Sequence, residues 1–430
     1  MSDNQTDSPL QQRRDRLFGP GAPLFYTRPL EIVRGEGAFL FDADGRRYVD
    51  LYNNVPCVGH ANGHVVEAMA RAQSTLNVHS RYLHRGILDF AERYLALHAD
   101  GIENVVFSCS GTEAVEVAIQ MARAATGRRG ILCCAHAYHG NSTLVSQLTD
   151  VDPENPRSEE VRSFPVPDPF RFSNSTTGSS AGEFFLERAI SALQALAKSE
   201  AGIAAMLVCP ILTNEGTPAV PAGFLSELAS RVRKTGGVVI FDEVQAGYCR
   251  TGSWWGYQVA GVTPDIVLTG KPMGNGLPLA ATAASGELTR AFRQKSHYFN
   301  TCSSSPLQAA AGLAVLDEIQ RLGIQENVRR VGRLLMSELN ARVGRWPTLG
   351  EVRGHGLFIN IEIVAGKSSR APNAGLASRI VDALAEEGFL TGTNGPHFNQ
   401  VKIRPPLVLG EQEARAFVSA FDRVMDRLDG

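Results

Sequence analysis

Two side chains in the middle of the sequence stand where a reactive group is expected in an α/β protein. Asp242 directly follows the apolar run Val238–Phe241, and Lys271 closely follows the run Ile266–Leu268. In open α/β sheets ligands bind beyond the carboxyl ends of the strands. A carboxylate there suits a positive ring nitrogen or a metal ion, and a desolvated lysine is a Schiff-base nucleophile. Taken alone, each residue has an ordinary explanation, a helix cap for the aspartate and a solvated side chain for the lysine.

Two further turns supply what a phosphorylated aromatic ligand needs. Ser108–Thr112 is a Ser/Gly/Thr turn that enters a helix, where free backbone N–H groups and the helix dipole favour a phosphate. Ala135–Gly140 follows another apolar run and carries Tyr138, either a stacking platform or a partly buried core tyrosine. Together with the aspartate and the lysine, these features form the set that pyridoxal 5′-phosphate (PLP) requires. No metal-ligand spacing and no Ser-His-Asp arrangement competes for the same positions.

The elements around these residues alternate between strands and helices from about residue 100 onwards. Helical patterns such as Glu183–Ala197 and Phe224–Lys234 separate short apolar runs, and the helix after the Ser/Gly/Thr turn carries one apolar face from Ala114 to Ala125. This alternation predicts a mostly parallel sheet covered by helices on both faces. The expected strands are Val105–Phe107, Ile131–Cys134, Ala204–Val208, Val238–Phe241 and Ile266–Leu268.

The two ends of the chain differ from this α/β part. Residues 1–16 are polar with no apolar period, which predicts a disordered tail. Phe39–Asp50 has two apolar runs around Asp-Gly, typical of a hairpin, and Phe164–Ala181 is rich in Pro, Ser and Gly, typical of a surface excursion. Past residue 320, long helical patterns and the strand-like Leu357–Ile363 predict a smaller α+β domain. The expected division is a tail at 1–16, a large PLP-binding domain at 76–320, and a small domain made of 17–75 and 321–430.

Composition excludes several classes of function. The 430 residues carry 42 Lys and Arg against 44 Asp and Glu, and the resulting net charge of −2 removes the electrostatic argument for nucleic acid or an anionic membrane as partner. No apolar run approaches the roughly 20 residues of a membrane helix, and the first residues lack the apolar core of a signal peptide. Seven cysteines scattered over a long chain are not typical of a disulfide framework. We therefore expect a cytoplasmic enzyme with reduced thiols.

The sequence as a whole resembles the class III aminotransferases, a family of PLP-dependent enzymes of fold type I. The resemblance runs from about Pro23 to the end of the chain. It implies a large domain with a mostly parallel sheet between helices, and a smaller α+β domain formed by both termini. The motifs that carry it are FDEVQAGYCRTG (Phe241–Gly252), PDIVLTGKPMGNGLP (Pro264–Pro278), SGTEAVE (Ser110–Glu116), AYHG (Ala137–Gly140) and NTCSSSP (Asn300–Pro306).

The resemblance implies a role for each matched residue. Lys271 matches the lysine that forms the Schiff base with PLP and later moves a proton, and Asp242 the carboxylate that keeps the pyridine nitrogen protonated. Thr301 matches a threonine that reaches the phosphate of the neighbouring subunit's cofactor, which implies a homodimer or larger assembly with a shared active site. The other cofactor contacts implied by the motifs are Ser110, Gly111, Thr112, Tyr138, His139, Val244 and Gln245.

The substrate side departs from the family pattern. Many members bind an α-carboxylate through an arginine three residues before a Pro-Pro pair, and Lys402 stands at that position here. Arg404, one residue before the pair, is expected on the other face of the strand. The segment with the family's gating glutamate reads Cys209–Gly216, with Asn214 or Glu215 near the gate, so no bidentate carboxylate clamp is evident. The candidate substrate contacts are Arg81, Tyr82, Lys402 and Arg404.

Two reactions are compatible with the resemblance. Segments such as Leu51–His60 and Val401–Leu407 resemble a subgroup with both ω-aminotransferases and ethanolamine-phosphate phospho-lyases. Because transfer is the commonest chemistry in the family, we predict a ping-pong aminotransferase that moves an amino group from an ω-amine, or another amine without an α-carboxylate, to a keto acid. The alternative is a phospho-lyase that eliminates phosphate from ethanolamine phosphate or a related amino-alkyl phosphate. The intact Lys271 and Asp242 argue against a non-catalytic member, and the lack of a G-x-G-x-x-G turn after the first strand argues against an NAD-dependent dehydrogenase.

Overall fold

A computed structural model describes residues 8–149, 158–172 and 180–429 of the chain. Two expectations therefore fall partly outside the described residues. These are the tail, for residues 1–7, and the Pro- and Ser-rich excursion, for residues 173–179.

The N-terminal part combines helices with a small sheet. Its elements are α1 (Pro9–Phe18), β1 (Ile32–Glu36), β2 (Phe39–Asp42), β3 (Arg47–Asp50), α2 (Gly63–Gln73) and α3 (Arg85–Leu95). The hairpin predicted at Phe39–Asp50 is confirmed, because β2 and β3 pair antiparallel with Phe39 opposite Val49.

Helix α1 lies within the segment that was expected to be a disordered tail, so that prediction is wrong for residues 9–16. The Ser8 hydroxyl accepts the N–H of Gln11 at 3.2 Å, and Pro9 occupies the first turn, both of which favour a helix start. None of the residues of α1 is buried. A helix with no buried face has no apolar period, which is why the sequence pattern did not reveal it.

A seven-stranded sheet forms the centre of the molecule. Its strands are β4 (Asn104–Ser108), β5 (Ile131–Cys134), β6 (Val161–Phe164), β7 (Ala205–Val208), β8 (Val238–Asp242), β9 (Ile266–Thr269) and β10 (Ala280–Ala284). Their order is β4-β10-β9-β8-β7-β5-β6, and the pairs from β9 to β6 are all parallel. Strands β5, β7 and β9 are buried at every residue, which explains their continuous apolar sequences. The predicted mostly parallel sheet is confirmed.

Strand β10 is the exception in this sheet, since it runs antiparallel to both β9 and β4. The chain between β9 and β10 is short, and a parallel return needs a crossover of about a dozen residues or more. The strand reads Ala-Ala-Thr-Ala-Ala. Small side chains give a weak strand signal, so sequence analysis missed it.

Helices cover both faces of the sheet. They are α4 (Gly111–Thr126), α5 (Ala181–Lys198), α6 (Phe224–Lys234), α7 (Gly256–Ala260), α8 (Gly286–Lys295) and α9 (Pro306–Arg321). The apolar face predicted for α4 is buried from Ala114 to Ala122, whereas Ala125 is exposed. Within the described ranges, no helix combines the length and apolar character needed to cross a membrane.

The smaller α+β part joins both ends of the chain. Its C-terminal elements are α10 (Ile324–Asn340), β11 (Leu349–His355), β12 (Phe358–Ile363), α11 (Ala374–Glu386), β13 (Phe389–Leu390), β14 (Gly392–Asn394), β15 (Gln400–Ile403) and α12 (Glu411–Asp429). Strands β11, β12, β15 and β14 form an antiparallel sheet, while β13 pairs parallel with β3 of the N-terminal hairpin. The boundaries 17–75, 76–320 and 321–430 remain a prediction.

Candidate active site

The start of α4 and the loops after β5, β7, β8 and β9 enclose a cavity at the carboxyl edge of the large sheet. The sequence argument placed a ligand site at this edge. Most of the predicted cofactor residues lie in the cavity lining, with Ser110 and Thr301 outside it. Those in the lining are Gly111, Thr112, Tyr138, His139, Asp242, Val244, Gln245 and Lys271.

Asp242 is the last residue of β8 and is held in place on both carboxylate oxygens. Its Oδ1 accepts the backbone N–H of Val244 at 3.0 Å, and its Oδ2 lies 2.8 Å from Nδ1 of His139. Only 6% of Asp242 and 4% of His139 is exposed. The carboxylate is therefore fixed in orientation before any ligand binds.

Lys271 follows β9 and opens a short 3₁₀ turn, Lys271–Gly274. Its backbone φ is 34°, which lies in the left-handed region and costs a non-glycine residue about 1 kcal/mol or more. Burial, followed by the positive charge of Arg404, lowers the pKa of Lys271 to about 8. The lysine in the cavity wall therefore combines a strained backbone with a lowered side-chain pKa.

The Ser/Gly/Thr turn forms the start of α4, as the sequence predicts. The Ser110 hydroxyl caps the helix by accepting the N–H of Glu113 at 3.2 Å, and Gly111 and Thr112 face the cavity. A Cβ on Gly111 would lie 3.3 Å from Cγ2 of Val244, so a side chain there would crowd the cavity floor. The free N–H groups of the first helical turn make this end of the cavity suitable for an anion.

Tyr138 and Val244 supply apolar surface on the cavity wall. Tyr138 is 40% exposed, and its carbonyl accepts the side-chain amide of Asn214 at 3.3 Å. Gln245 links the cavity to its surroundings, since its Nε2 donates to Thr213 Oγ1 at 3.2 Å and its Oε1 accepts from Arg404.

Lys402 and Arg404 lie together beside the cavity, so the prediction that Arg404 faces the other way is wrong. The Lys402 Nζ lies 5.6 Å, and the Arg404 Cζ 5.1 Å, from the centre of the same Tyr52 ring. Side chains alternate along an extended chain, so residues two apart share a face. Both are buried, with 6% of Lys402 and 7% of Arg404 exposed.

These two cations are surrounded by neutral acceptors. Lys402 Nζ donates to Asn394 Oδ1 at 3.1 Å, and Arg404 donates to Gln245 Oε1 and to the carbonyl of Tyr52. Burial and the charges of Arg404 and Lys271 hold the pKa of Lys402 well below its usual value, and burial also lowers the pKa of Arg404. Burial thus disfavours the charged form of both side chains, and an anion bound next to them would favour that form again, so the site is electrostatically suited to an anion.

Three predicted residues lie away from the cavity of this chain. Tyr82 is 63% exposed, Thr301 is exposed, and Arg81 covers the ring of Phe299 with its Cζ 3.9 Å from the ring centre. The structure therefore does not bring Arg81, Tyr82 or Thr301 to the cavity within a single chain.

Five further lining residues were not among the predicted site residues. They are Gly140, Cys209, Thr213, Asn214 and Glu215, although Gly140 lies in the AYHG motif and the other four in the segment Cys209–Gly216. Most of them follow β7, whose strand was predicted. The signal was available, because the same argument that selected residues after β8 and β9 applies to the loop after β7.

Comparisons with known proteins agree with this geometry. The family model described as "Aminotransferase class-III" matches residues 25–425. An alanine–glyoxylate aminotransferase 2-like protein of Drosophila melanogaster is 33% identical over 95% of this chain and 85% of its own length. A phospholyase from Arthrobacter, solved in complex with phosphoethanolamine, is 37% identical with a TM-score of 0.94, covering 97% of this chain and 100% of the solved one. An amine transaminase from an uncultivated Pseudomonas species, solved in its PLP-bound form, is 27% identical with a TM-score of 0.85, covering 99% and 98%.

The family prediction is confirmed by the match over most of the chain, and the fold by its agreement with these solved structures. The chain belongs to the class III aminotransferase family and has the architecture of the fold type I enzymes.

Proposed function

We propose that this protein is a PLP-dependent phospho-lyase that removes phosphate from ethanolamine phosphate or a related amino-alkyl phosphate. The observation that carries the proposal is the pair of buried cations, Lys402 and Arg404, with neutral partners beside the cavity. Their charges suit a dianionic leaving group. The similarity to the Arthrobacter phospholyase supports the same reaction. This reverses the preference drawn from the sequence, where amino transfer came first.

The residues of the cavity fit the cofactor. The start of α4 offers backbone N–H groups to a phosphate, and Asp242 offers a carboxylate to a ring nitrogen. A Cβ on Gly111 would press on Val244 and one on Gly140 on Thr112, so a side chain at either position would displace lining residues. When bound, PLP supplies an aldehyde that combines with a primary amine and a ring that draws electrons from the neighbouring carbon. Tyr138 and Val244 would flank that ring, and Gln245 would lie near its polar edge.

Lys271 holds the cofactor and moves a proton in this proposal. With its pKa lowered to about 8, a useful fraction of Nζ is unprotonated near neutral pH, which a nucleophilic amine requires. The same Nζ is placed as the base that takes a proton from the substrate carbon bearing nitrogen. Arg404 assists indirectly, since its charge is the second cause of the lowered pKa.

Lys402 and Arg404 bind the phosphate of the substrate in this proposal and stabilise it as it leaves. Charge-assisted hydrogen bonds to a phosphate are stronger than those to their present amide and carbonyl acceptors. The overall reaction balances with one water: the amino-alkyl phosphate gives inorganic phosphate, ammonia and an aldehyde. No keto acid is consumed.

The test is to incubate the holoenzyme with ethanolamine phosphate in the absence of any keto acid. We expect phosphate, ammonia and acetaldehyde in equal amounts over many turnovers. A single equivalent of product, with conversion of the cofactor to its amine form, would contradict the lyase and favour transfer.

An aminotransferase is the second candidate. The similarity to the Drosophila protein named as an aminotransferase favours it, and the same two cations would suit the carboxylate of a keto acid. Adding a keto acid to the assay discriminates between the two, because only transfer depends on it.

We further propose that the protein works as a homodimer with a shared active site. Leu83 is 98% exposed and Tyr82 is 63% exposed next to Arg81, and large exposed apolar side chains of this kind mark interfaces. A second copy would cover them and bring Thr301 to its neighbour's site. Sedimentation should show a dimer that Leu83→Asp dissociates and Val343→Asp, a control at another exposed position, leaves intact. A monomeric wild-type protein would contradict this proposal.

The cytoplasm is the compartment that we propose. All seven cysteines lie in the described part of the chain, and none forms a disulfide, as is usual in reducing compartments. Cell fractionation with antibody detection tests this, and recovery in a membrane or organelle fraction would contradict it.

A further inference from the structure

Glu215 is a buried carboxyl group to which no role has yet been given. It lies in the loop after β7, lines the cavity and is only 1% exposed. Neither of its carboxylate oxygens has a hydrogen-bond partner among the described residues. A buried carboxyl group without hydrogen bonds destabilises the fold, so its presence in a native structure indicates a functional role. Burial raises the pKa of Glu215 to about 7, so it exchanges its proton in the physiological range.

His139 lines the same cavity and also has a buried polar atom without a hydrogen-bond partner. Its Nδ1 lies 2.8 Å from Asp242 Oδ2, whereas its Nε2 is buried and lacks a hydrogen-bond partner within the described part of the chain. The backbone N–H of His139 donates to Thr149 Oγ1 at 3.0 Å, which fixes the loop that carries the ring. The imidazole therefore has one nitrogen engaged with Asp242 and the other available.

We propose that Glu215, His139 and Asp242 form a buried proton relay, in which Glu215 acts through His139 to set how firmly Asp242 holds a protonated ring nitrogen. The inference rests on the proposed use of PLP. Glu215 is a positioning residue in this scheme, since it acts only through His139. Because neither group has a hydrogen-bond partner among the described residues, a proton bound by Glu215 would pass to Nε2 of His139 through an intervening water, while the Nδ1 proton stays on the side of Asp242.

The titratable groups that act on Glu215 come from the carboxyl ends of three strands of the large sheet. The titratable groups that face it are His139 after β5, Asp242 at the end of β8 and Cys209 in its own loop. From the smaller part of the molecule, Arg353 reaches the adjacent carbonyl of Gly216 with its Nε at 3.0 Å, not the carboxyl group itself.

Three side chains of the smaller part hold this loop in position. Asn394 donates to the carbonyl of Thr213 at 2.8 Å, Arg353 binds Gly216, and Asn360 donates to Thr217 Oγ1 at 2.8 Å. Glu215 therefore lies in a loop with anchors on both sides, and these anchors hold it in the cavity wall that His139 also lines.

The relay predicts the direction of its effect. When Glu215 loses its proton, a negative charge forms in the cavity wall that also holds Asp242, and this charge favours the protonated cofactor. In Glu215→Gln that charge cannot form. The visible absorption of the holoenzyme without substrate should then titrate at a pH lower by about one unit than in the wild type.

The experiment is a spectroscopic titration of four variant holoenzymes beside the wild type. His139→Asn keeps a donor near Asp242 but removes Nε2, the group through which Glu215 acts. It should therefore shift the titration by itself, and adding Glu215→Gln to it should cause no further shift. Glu351→Gln is the matched control, since Glu351 is a half-buried carboxyl bound to Arg353 of the same network. It should titrate as the wild type does.

Three outcomes overturn the relay: a coloured Glu215→Gln enzyme that titrates like the wild type, shifts of the two single variants that add, or an equal shift in Glu351→Gln. If Glu215→Gln does not fold, His139→Asn with an unchanged titration overturns it as well. A wild-type protein that stays colourless with PLP has a different meaning, because it overturns the proposed function itself.

Discussion

The two ends of the candidate site differ in the charge of their side chains and come from different parts of the chain. At one end, in the cavity lining, Asp242, Glu215 and His139 follow parallel strands of the large sheet. At the other end, beside the lining, Lys402 and Arg404 come from β15 and the residue after it, in the smaller part. Lys271 interacts with both ends, since Arg404 lowers its pKa and Asp242 raises it.

This difference separates cofactor chemistry from substrate choice. The large sheet supplies carboxyl groups and a helix N-terminus, which suit a cationic ring and a phosphate. The smaller sheet supplies cations, which suit the anionic group of a substrate. Changes at the first end should therefore affect every reaction alike, whereas changes at the second should act mainly on which amines are accepted.

Lys271→Ala tests the point where the two ends meet and should have the largest effect. Loss of both nucleophile and base should reduce turnover by about 10⁴-fold or more, with the protein still folded. The measurement is turnover together with the visible spectrum after incubation with PLP. Lys234→Ala, on the exposed surface of α6, is the control. Undiminished turnover in Lys271→Ala would contradict the assignment.

Asp242→Asn tests the carboxyl end. Removal of the charge that faces the ring nitrogen should lower turnover by about 10²- to 10³-fold for all substrates, because preorganised electrostatic stabilisation is lost. The amide can still accept the N–H of Val244, so folding should persist. Equal percentage losses with phosphorylated and unphosphorylated amines are expected, and a loss confined to one class would contradict the division between the two ends.

Lys402→Met tests the cation end and should give a selective effect. We expect KM for the phosphorylated amine to rise about 10- to 100-fold, since a charge-assisted hydrogen bond is removed, with cofactor binding unchanged. The ligand-free variant should also be more stable, by about 1 to 2 kcal/mol, because a buried amine that burial disfavours in its charged form is replaced by an apolar side chain of similar length. Steady-state kinetics and thermal unfolding test both parts, and a destabilised variant with unchanged KM would contradict them.

The pH dependence of cofactor capture is the smallest effect that we expect. Because the pKa of Lys271 is lowered to about 8, the unprotonated amine should fall about tenfold per pH unit below that value, and the rate of colour formation from apoenzyme and PLP with it. Arg404→Met should move the midpoint upwards, since a positive charge that disfavours protonation is removed. Arg404→Lys keeps the charge and should leave the midpoint in place. An unchanged midpoint in Arg404→Met would contradict the claim that Arg404 lowers the pKa of Lys271.

The parts of the site that could be predicted are those governed by local sequence. Asp242 and Lys271 stand directly after runs that are apolar because they are buried on both faces, and position relative to such strands can be read from the sequence. The start of α4 was predictable for a similar reason, since a Ser-Gly-Thr turn caps the helix that follows it.

Other features could not be predicted from the sequence because they depend on contacts between residues that are distant in sequence. Strand β10 consists of small residues and is a strand only through its neighbours β9 and β4. Helix α1 buries no face, and Arg404 was assigned to the wrong side of its strand. The burial of Glu215 without a partner among the described residues depends on how loops of the large sheet pack against residues of the smaller sheet, which are distant in sequence.

The order of residues along the chain therefore determined the family, the mostly parallel sheet and the two residues on which the proposed chemistry depends. Only the tertiary structure decided that Lys402 and Arg404 lie against the same Tyr52 ring and that Glu215 is buried in the cavity lining without a partner in the described part of the chain. It also decided that Arg81, Tyr82 and Thr301 are exposed. The physical reason is that strands and caps are set by neighbours in sequence, whereas burial, missing partners and the sign of a local field are set by neighbours in space.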